Sequence, residues 1–259
     1  MTLLWFLGQH GFIINLENQI FYIDVILNDF PGKDGESRRS YPPPFEPGLP
    51  QRVDYFLCTH NHGDHLNLNT LLPLAKANPQ TQFIVPAPLR HILTDAGIEA
   101  ERVLGAREGE HISLSGNITL SPVAAAHSEY LQDERGDYLC LGYILRGRDT
   151  SIYHAGDTLV TPRLVDALKA QSPIDISILP INGSDWERTA RNIIGNMNME
   201  DAVKLARAIA ADLVVPAHYD MMASNSENPA LFAAYMYALC PEKKYHIFAL
   251  GERFCYLRG

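Results

Sequence analysis

Along the first twenty-five residues, apolar side chains gather in short runs broken by turn residues. Residues 3–7, 11–16 and 19–25 form short runs rich in β-branched and aromatic side chains, separated by turn residues, and predict three strands. The texture then changes. Residues 28–51 are crowded with proline, hold few aliphatic side chains and keep neither a helical nor a strand period. They predict a long loop, of the kind that serves as a lid, a binding loop or a subunit contact. A continuous apolar run at 53–58 predicts a strand covered on both faces. Beyond it, helical spacing is expected at 67–77, 87–96, 162–170, 199–211 and 229–239, with Pro162 suited to a first turn. Strands are expected at 82–85, 102–104, 111–114, 118–123, 138–145, 151–154, 174–179, 213–216, 245–250 and 253–257. The helices are too few and too uneven for a doubly wound sheet. Two sheets packed face to face with helices outside fit better. No repeat or linker divides the chain, so residues 1–259 read as one domain with 28–51 as a loop insertion near the active site.

Composition narrows the partners. With 46% hydrophobic and 20% charged residues the chain is ordinary for a globular protein, and its net charge of −9 disfavours nucleic acid or an anionic membrane as partner. Cys58, Cys140, Cys240 and Cys255 form no C-x-x-C pair and read as small apolar thiols. The start lacks a basic region typical of a signal peptide. No apolar run reaches the roughly 18 residues of a membrane span. A cytoplasmic location is expected.

The chemistry concentrates directly after the 53–58 run, in Thr59-His60-Asn61-His62-Gly63-Asp64-His65. An H-x-H pair alone is weak evidence. H-x-H-x-D-H offers two ligand pairs, His60 with His62 and Asp64 with His65, and imidazole with carboxylate suits zinc, iron or manganese. Such a site needs more ligands. His127, Asp157 in Gly156-Asp157 and His218 each follow an apolar strand and supply them.

This ordered set resembles the metallo-β-lactamase superfamily. The surrounding Leu7-Gly-Gln-His-Gly-Phe12, Tyr153-His-Ala-Gly-Asp-Thr158, Gly195-Asn-Met197 and Pro216-Ala-His-Tyr-Asp220 are similar to its L-ascorbate-6-phosphate lactonase branch. The resemblance covers nearly the whole chain. It implies an αββα sandwich, an α/β fold of two packed mixed sheets with helices on the outer faces. It also implies a metal-dependent, oligomeric, cytoplasmic hydrolase. Carried over, one divalent cation takes His60, His62 and His127, a second takes Asp64, His65 and His218, and Asp157 bridges. Manganese or zinc is expected, with iron a third option and one or two ions per chain. Water held between two cations becomes a nucleophile near neutral pH, and Asp64 is placed to orient it and carry a proton. The chain departs from those lactonases in lacking an N-terminal extension, and at Asn61 and Gly63, where they read H-D-H-N-D-H.

For the substrate, Arg38 and Arg39 in the proline-rich loop and Arg188 and Arg191 after the 174–179 strand are candidate anion forks. They favour a phosphorylated or carboxylated small molecule, or are solvated surface. His10 could line the pocket or support a ligand, and Trp186 and Tyr41 could wall it. His154 reads as structural. Asp24 and Asp220 are candidates to accept the outer N–H of a ligating imidazole. The rivals to a lactonase-like enzyme are a phosphodiesterase of the same fold and a non-catalytic metal-binding assembly protein.

Overall fold

The computed structural model describes residues 1–31, 36–48 and 52–258. Parts of the expected loop, residues 32–35 and 49–51, lie outside the described residues. Along the chain run strands β1 (Thr2–Phe6), β2 (Phe12–Leu16), β3 (Gln19–Ile23) and β4 (Tyr55–Leu57), helix α1 (Leu68–Ala77) and β5 (Gln82–Pro86). Helix α2 (Arg90–Asp95), after a short 3₁₀ turn, leads to β6 (Val103–Ala106), β7 (Ile112–Leu114), β8 (Ile118–Ala124), β9 (Leu141–Arg146) and β10 (Ser151–His154). The last third holds α3 (Pro162–Ala170), β11 (Ile176–Pro180), α4 (Trp186–Ala190), α5 (Met199–Ala208), β12 (Leu213–Ala217), α6 (Pro229–Leu239), β13 (Lys244–Tyr245) and β14 (Arg253–Tyr256).

These strands form two seven-stranded sheets, ordered β14-β1-β2-β3-β4-β5-β6 and β13-β12-β11-β10-β9-β8-β7. Alternation decides which face each residue serves. In β1 and β2, Leu4, Phe6, Phe12, Ile14 and Leu16 point between the sheets and meet Leu145, Ile152, Ile178 and Val215 from the other one. In β4, Tyr55 and Leu57 join that inner core while Phe56 faces outward, beneath Leu71 and Leu74 of α1. On the second sheet, Leu179 and Val214 face outward against α3, α5 and α6. Helices thus cover both outer faces, and the expected αββα sandwich is what the chain forms.

Strand direction sets the functional edge. β1 and β3 are each antiparallel to β2, and β4 is parallel to β3. Strands β10, β11 and β12 are mutually parallel, and β8, antiparallel to β9, shares their direction. Within each sheet, the segments leaving these strands therefore emerge on one side.

Two expectations change. The strand expected at 245–250 pairs only through Lys244 and Tyr245. Residues 246–250 instead cross from the second sheet to the first, where β14 pairs with β1, and sheets packed about 10 Å apart leave no ladder to join on the way. Phe248 plugs that gap, its ring 5.7 Å from Phe12. Helix α4 falls in a stretch where no element was expected. Asp185 caps it by accepting the Arg188 N–H at 2.8 Å, and none of its side chains is buried, so no apolar stripe announced it.

Removing side-chain volume from the inner core should be costly. Ile178→Ala is expected to lower unfolding free energy in urea by ~2–5 kcal/mol, whereas Leu231→Ala on the exposed side of α6 should change it by less than ~0.5 kcal/mol.

Candidate metal centre

Each residue of the centre follows a strand end. Gln9 and His10 follow β1, Asp24 follows β3, and His60 to His65 follow β4. His127, Asp157 and His218 follow β8, β10 and β12. Asp157 stands in the middle. Its Oδ1 lies 3.3 Å from His65 Nε2, and its Oδ2 lies 3.3, 3.7 and 4.0 Å from the Nε2 atoms of His218, His127 and His60. His62 Nδ1 and His127 Nε2 approach to 3.1 Å. Asp64 Oδ2 lies 3.5 Å from His218 Nε2 and 3.8 Å from His65 Nε2. Among the described residues, groups of donor atoms close enough to share a cation include His60, His62, His127 and Asp157, then Asp64, His65 and His218, and, behind them, His10, Asp24 and His65.

The donors fit a cation better than they fit one another. The inward atoms His60 Nε2, His65 Nε2 and Asp157 Oδ1 are buried without a hydrogen-bond partner. The outward nitrogens of His60 and His65 are anchored, whereas the buried Nδ1 atoms of His127 and His218 have no partner. His65 Nδ1 faces Asp24 Oδ2 at 2.8 Å, and Asp24 also accepts the Thr59 N–H and hydroxyl at 2.8 and 2.6 Å. The Thr59 hydroxyl lies 3.1 Å from His60 Nδ1. Fixing the outer nitrogen turns the inner one toward the centre. Asp24 thus meets an imidazole as expected. Asp220 does not: it accepts the backbone N–H of Gln9 at 2.8 Å.

Close approach depends on backbone that few residues tolerate. Gly156 precedes Asp157 with φ +59°, and a Cβ there would sit 2.7 Å from Thr59 Cβ. Gln9, Asp24 and His218 hold φ of 56°, 49° and 59°, left-handed values costly to side chains with a Cβ.

Charge follows from this packing. Burial opposes a cation at His218, but Asp157 and Asp64 outweigh it and push its pKa up to about 9. Burial likewise opposes charge on His65, and Asp157, Asp24 and Asp64 raise it well above the usual range. At Asp157, burial favours the neutral acid, yet His218 and His65 hold it well below the usual carboxylate range. Asp64 is lowered too, His65 and His218 overcoming its burial. Burial lowers His127 to about 4, and holds His60 well down.

Other predicted residues fall elsewhere. His10 is fully buried beneath the cluster, 3.5 Å from Asp157 Oδ1, its ring tilted against that of His154 at 4.3 Å, whose Nε2–H donates to the His10 carbonyl at 2.9 Å. Burial lowers His10 to about 4, and it supports the cluster rather than lining a pocket. Arg39 is buried and donates to the carbonyls of Ile26, Asn28 and Tyr41. Arg188 is held by the Asn182 carbonyl, Asp185 and Glu227. Arg188 is a brace, its donors meeting protein oxygens, and Arg39 braces the loop through Nε and Nη1 while its buried Nη2 has no partner. Arg191 is exposed beside Glu187, and Arg38 is exposed. Trp186, 82% exposed, walls nothing, and Tyr41 packs against Gly8.

A hollow of about 430 Å³ opens over the cluster, lined by His62, Asp64, Asp157 and His218 together with Phe30, Asn192, Ile193, Ile194, Met222, Ser224 and Asn225. A larger apolar hollow, about 570 Å³, lies among Trp5, Leu7, Ile13, Tyr22 and Phe45; it holds none of the clustered donors, so the smaller one is where chemistry can occur. Gln9 carried no expected role. Fully buried, it places Nε2 2.7 Å from Asp64 Oδ2 and 3.1 Å from His218 Nε2. Its position in the turn after β1, facing the same edge as the H-x-H-x-D-H loop, was the available signal.

Two layered sheets with a histidine–carboxylate cluster at one edge define a metallohydrolase of the metallo-β-lactamase fold. Residues 24–219 match the beta-lactamase superfamily domain. A UPF0173 metal-dependent hydrolase of Thermofilum pendens is 30% identical over 244 residues, 90% of each chain, and one of Enterococcus faecalis is 32% identical over 183 residues, 69% of this chain and 73% of that one. The chain belongs to the metallo-β-lactamase superfamily and, within it, to the UPF0173 metal-dependent hydrolases. Solved structures share the fold. The metallo hydrolase Igni18 of Ignicoccus hospitalis superposes with a TM-score of 0.74 at 19% identity, covering 99% of this chain and all of that one. An isothiocyanate hydrolase from Delia radicum gut bacteria gives 0.76 at 18% identity, covering 99% of each.

Two outcomes are expected of metal binding. Asp24→Ala frees the outer nitrogen of His65 and should weaken metal affinity about 10–100-fold, measured by competition with a chromophoric chelator. A cation must also displace the proton from His218, whose pKa stands at about 9. His65, raised as well, must also give up its proton, so below that pH affinity should fall as pH falls, about tenfold per unit for each proton displaced.

Proposed function

We propose that the chain is a hydrolase of a lactone or ester, with one divalent cation held by His60, His62 and His127, a second by Asp64, His65 and His218, and Asp157 between them. The observation that carries this reading is the convergence of unpartnered inward atoms, His60 Nε2, His65 Nε2 and Asp157 Oδ1, while the outward nitrogens of His60 and His65 are anchored. Imidazole and carboxylate donors together suit manganese or zinc, with iron next. Bound there, the cation pair supplies Lewis acidity that polarises a carbonyl and makes water more acidic.

The chain's own groups do the rest. Asp64 is 23% exposed and faces the hollow, where its carboxylate accepts a proton from the attacking water. The water oxygen bonds to the acyl carbon, the acyl C–O bond breaks, and the proton passes through Asp64 to the departing oxygen. Gln9, donating to Asp64 Oδ2, fixes the direction of that carboxylate. The isothiocyanate hydrolase of the same fold is compatible with attack on an uncharged carbon electrophile.

The test measures metal per chain by mass spectrometry together with hydrolysis of 4-nitrophenyl hexanoate, a γ-lactone and bis(4-nitrophenyl) phosphate. Close to two metals in the wild type, falling in His60→Ala and Asp157→Ala, is expected. Turnover of ester or lactone should drop about 10²–10⁴-fold in Asp64→Asn. Faster turnover of the phosphodiester would move the reading to the phosphodiesterase. Full metal loading with no turnover of any probe would favour the assembly protein.

A further inference from the structure

The walls of the hollow are unlike its floor. The floor is carboxylate and imidazole. The walls are Phe30, Ile193, Ile194 and Met222, with only uncharged polar side chains between them, and no lysine or arginine among the described residues lines the space. Ile194 is 42% exposed, an apolar side chain left in water at the mouth of a reactive site. An isolated exposed isoleucine needs no explanation, but four apolar side chains around one opening mark a surface that expects to be covered.

Charge on the floor points the same way. Two divalent cations there would face three carboxylates, Asp24, Asp64 and Asp157, so little positive charge is left for a remote anionic group. Arg188, a half-buried guanidinium near this wall in sequence, is turned to Asn182, Asp185 and Glu227. A substrate carboxylate or phosphate lying against the walls would lose water and gain no cation, which is costly. One polar contact is offered instead. Asn225 accepts the Asn182 amide at its Oδ1, 3.0 Å away, which leaves its own amide N–H groups to donate to a neutral acceptor.

We infer that the hollow selects an uncharged substrate, with an apolar chain against Phe30, Ile193, Ile194 and Met222 and a neutral acceptor oxygen within reach of Asn225. The hydrolase reading above determines only which bond breaks. The selection is a property of the walls and can be read without turnover.

Two unreactive amides matched in length separate the cases. Hexanamide is neutral, and adipamate is the same chain ending in a carboxylate. Binding to the metal-loaded protein is measured by calorimetry. Hexanamide should bind at least about tenfold more tightly than adipamate to the wild type. Ile194→Arg, at an exposed position that tolerates the longer side chain, should close or reverse that gap, while Arg191→Ala should leave it unchanged. Adipamate binding as tightly as hexanamide, or neither amide binding, would overturn the inference. Hexanamide binding with no ester or lactone turned over would leave the selection standing and remove the hydrolase reading instead.

Discussion

The Asp157 carboxylate is buried, only 3% exposed, at the edge where two sheets meet, and stays ionised there. A buried charge is unfavourable unless it is paired, and this one is ringed by the Nε2 atoms of His60, His65, His127 and His218 within 3.3–4.0 Å. Much of the site's design can be understood as a means of keeping that carboxylate and those imidazoles at fixed distances. The inward atoms remain open because the outward nitrogens of His60 and His65 are tied to Thr59 and Asp24, and Asp24 in turn is held by the Thr59 backbone. A chain of hydrogen bonds therefore runs from the end of β3 through the start of the histidine loop to the centre.

Such fixing is not free of strain. Gln9, Asp24 and His218 all adopt left-handed backbone at strand ends around the centre, each at a cost of roughly 1–3 kcal/mol. They persist because the strands they leave are locked by the inner core, where Phe6, Phe12, Ile23, Leu57, Ile178 and Val215 are essentially inaccessible. The Gln9 carbonyl accepts the His218 N–H, so two strained turns from different sheets brace each other. Packing and site geometry are coupled there: loosening either sheet should blur the donor positions before it unfolds the chain.

Much of this was legible in the sequence because strand ends leave a local signature. An apolar run that stops abruptly at His, Asp or Gly marks β4, β8, β10 and β12, and the helices at Pro162–Ala170 and Pro229–Leu239 begin at prolines and end where their spacing does. What stayed hidden depends on distant partners. Helix α4 has no buried stripe, so only its Asp185 cap could have shown it. The segment 246–250 has strand composition, yet its path is dictated by the need to cross between sheets. Gln9 looked like a turn residue, and only the fold puts its amide against Asp64 and His218, more than fifty and two hundred positions away.

The arginines show that a cation near a reactive loop in sequence need not face it in the fold. In a chain of net charge −9, paired arginines beside a reactive loop suggest a receptor for anions. Arg39 instead distributes its donors over the Ile26, Asn28 and Tyr41 carbonyls. Its backbone pairs with Met222, and Ser40 N–H donates to the Met221 carbonyl at 2.7 Å. Those contacts carry the proline-rich loop across to the segment after His218 and bring Phe30 and Met222 to one opening. Arg188 does the equivalent for the other wall, joining the α4 region to Glu227. A guanidinium suits this work because its rigid fork can satisfy several carbonyls in irregular backbone at once. Arg39 and Arg188 thus hold the walls in place, and the side chains those walls turn to the hollow are apolar or uncharged.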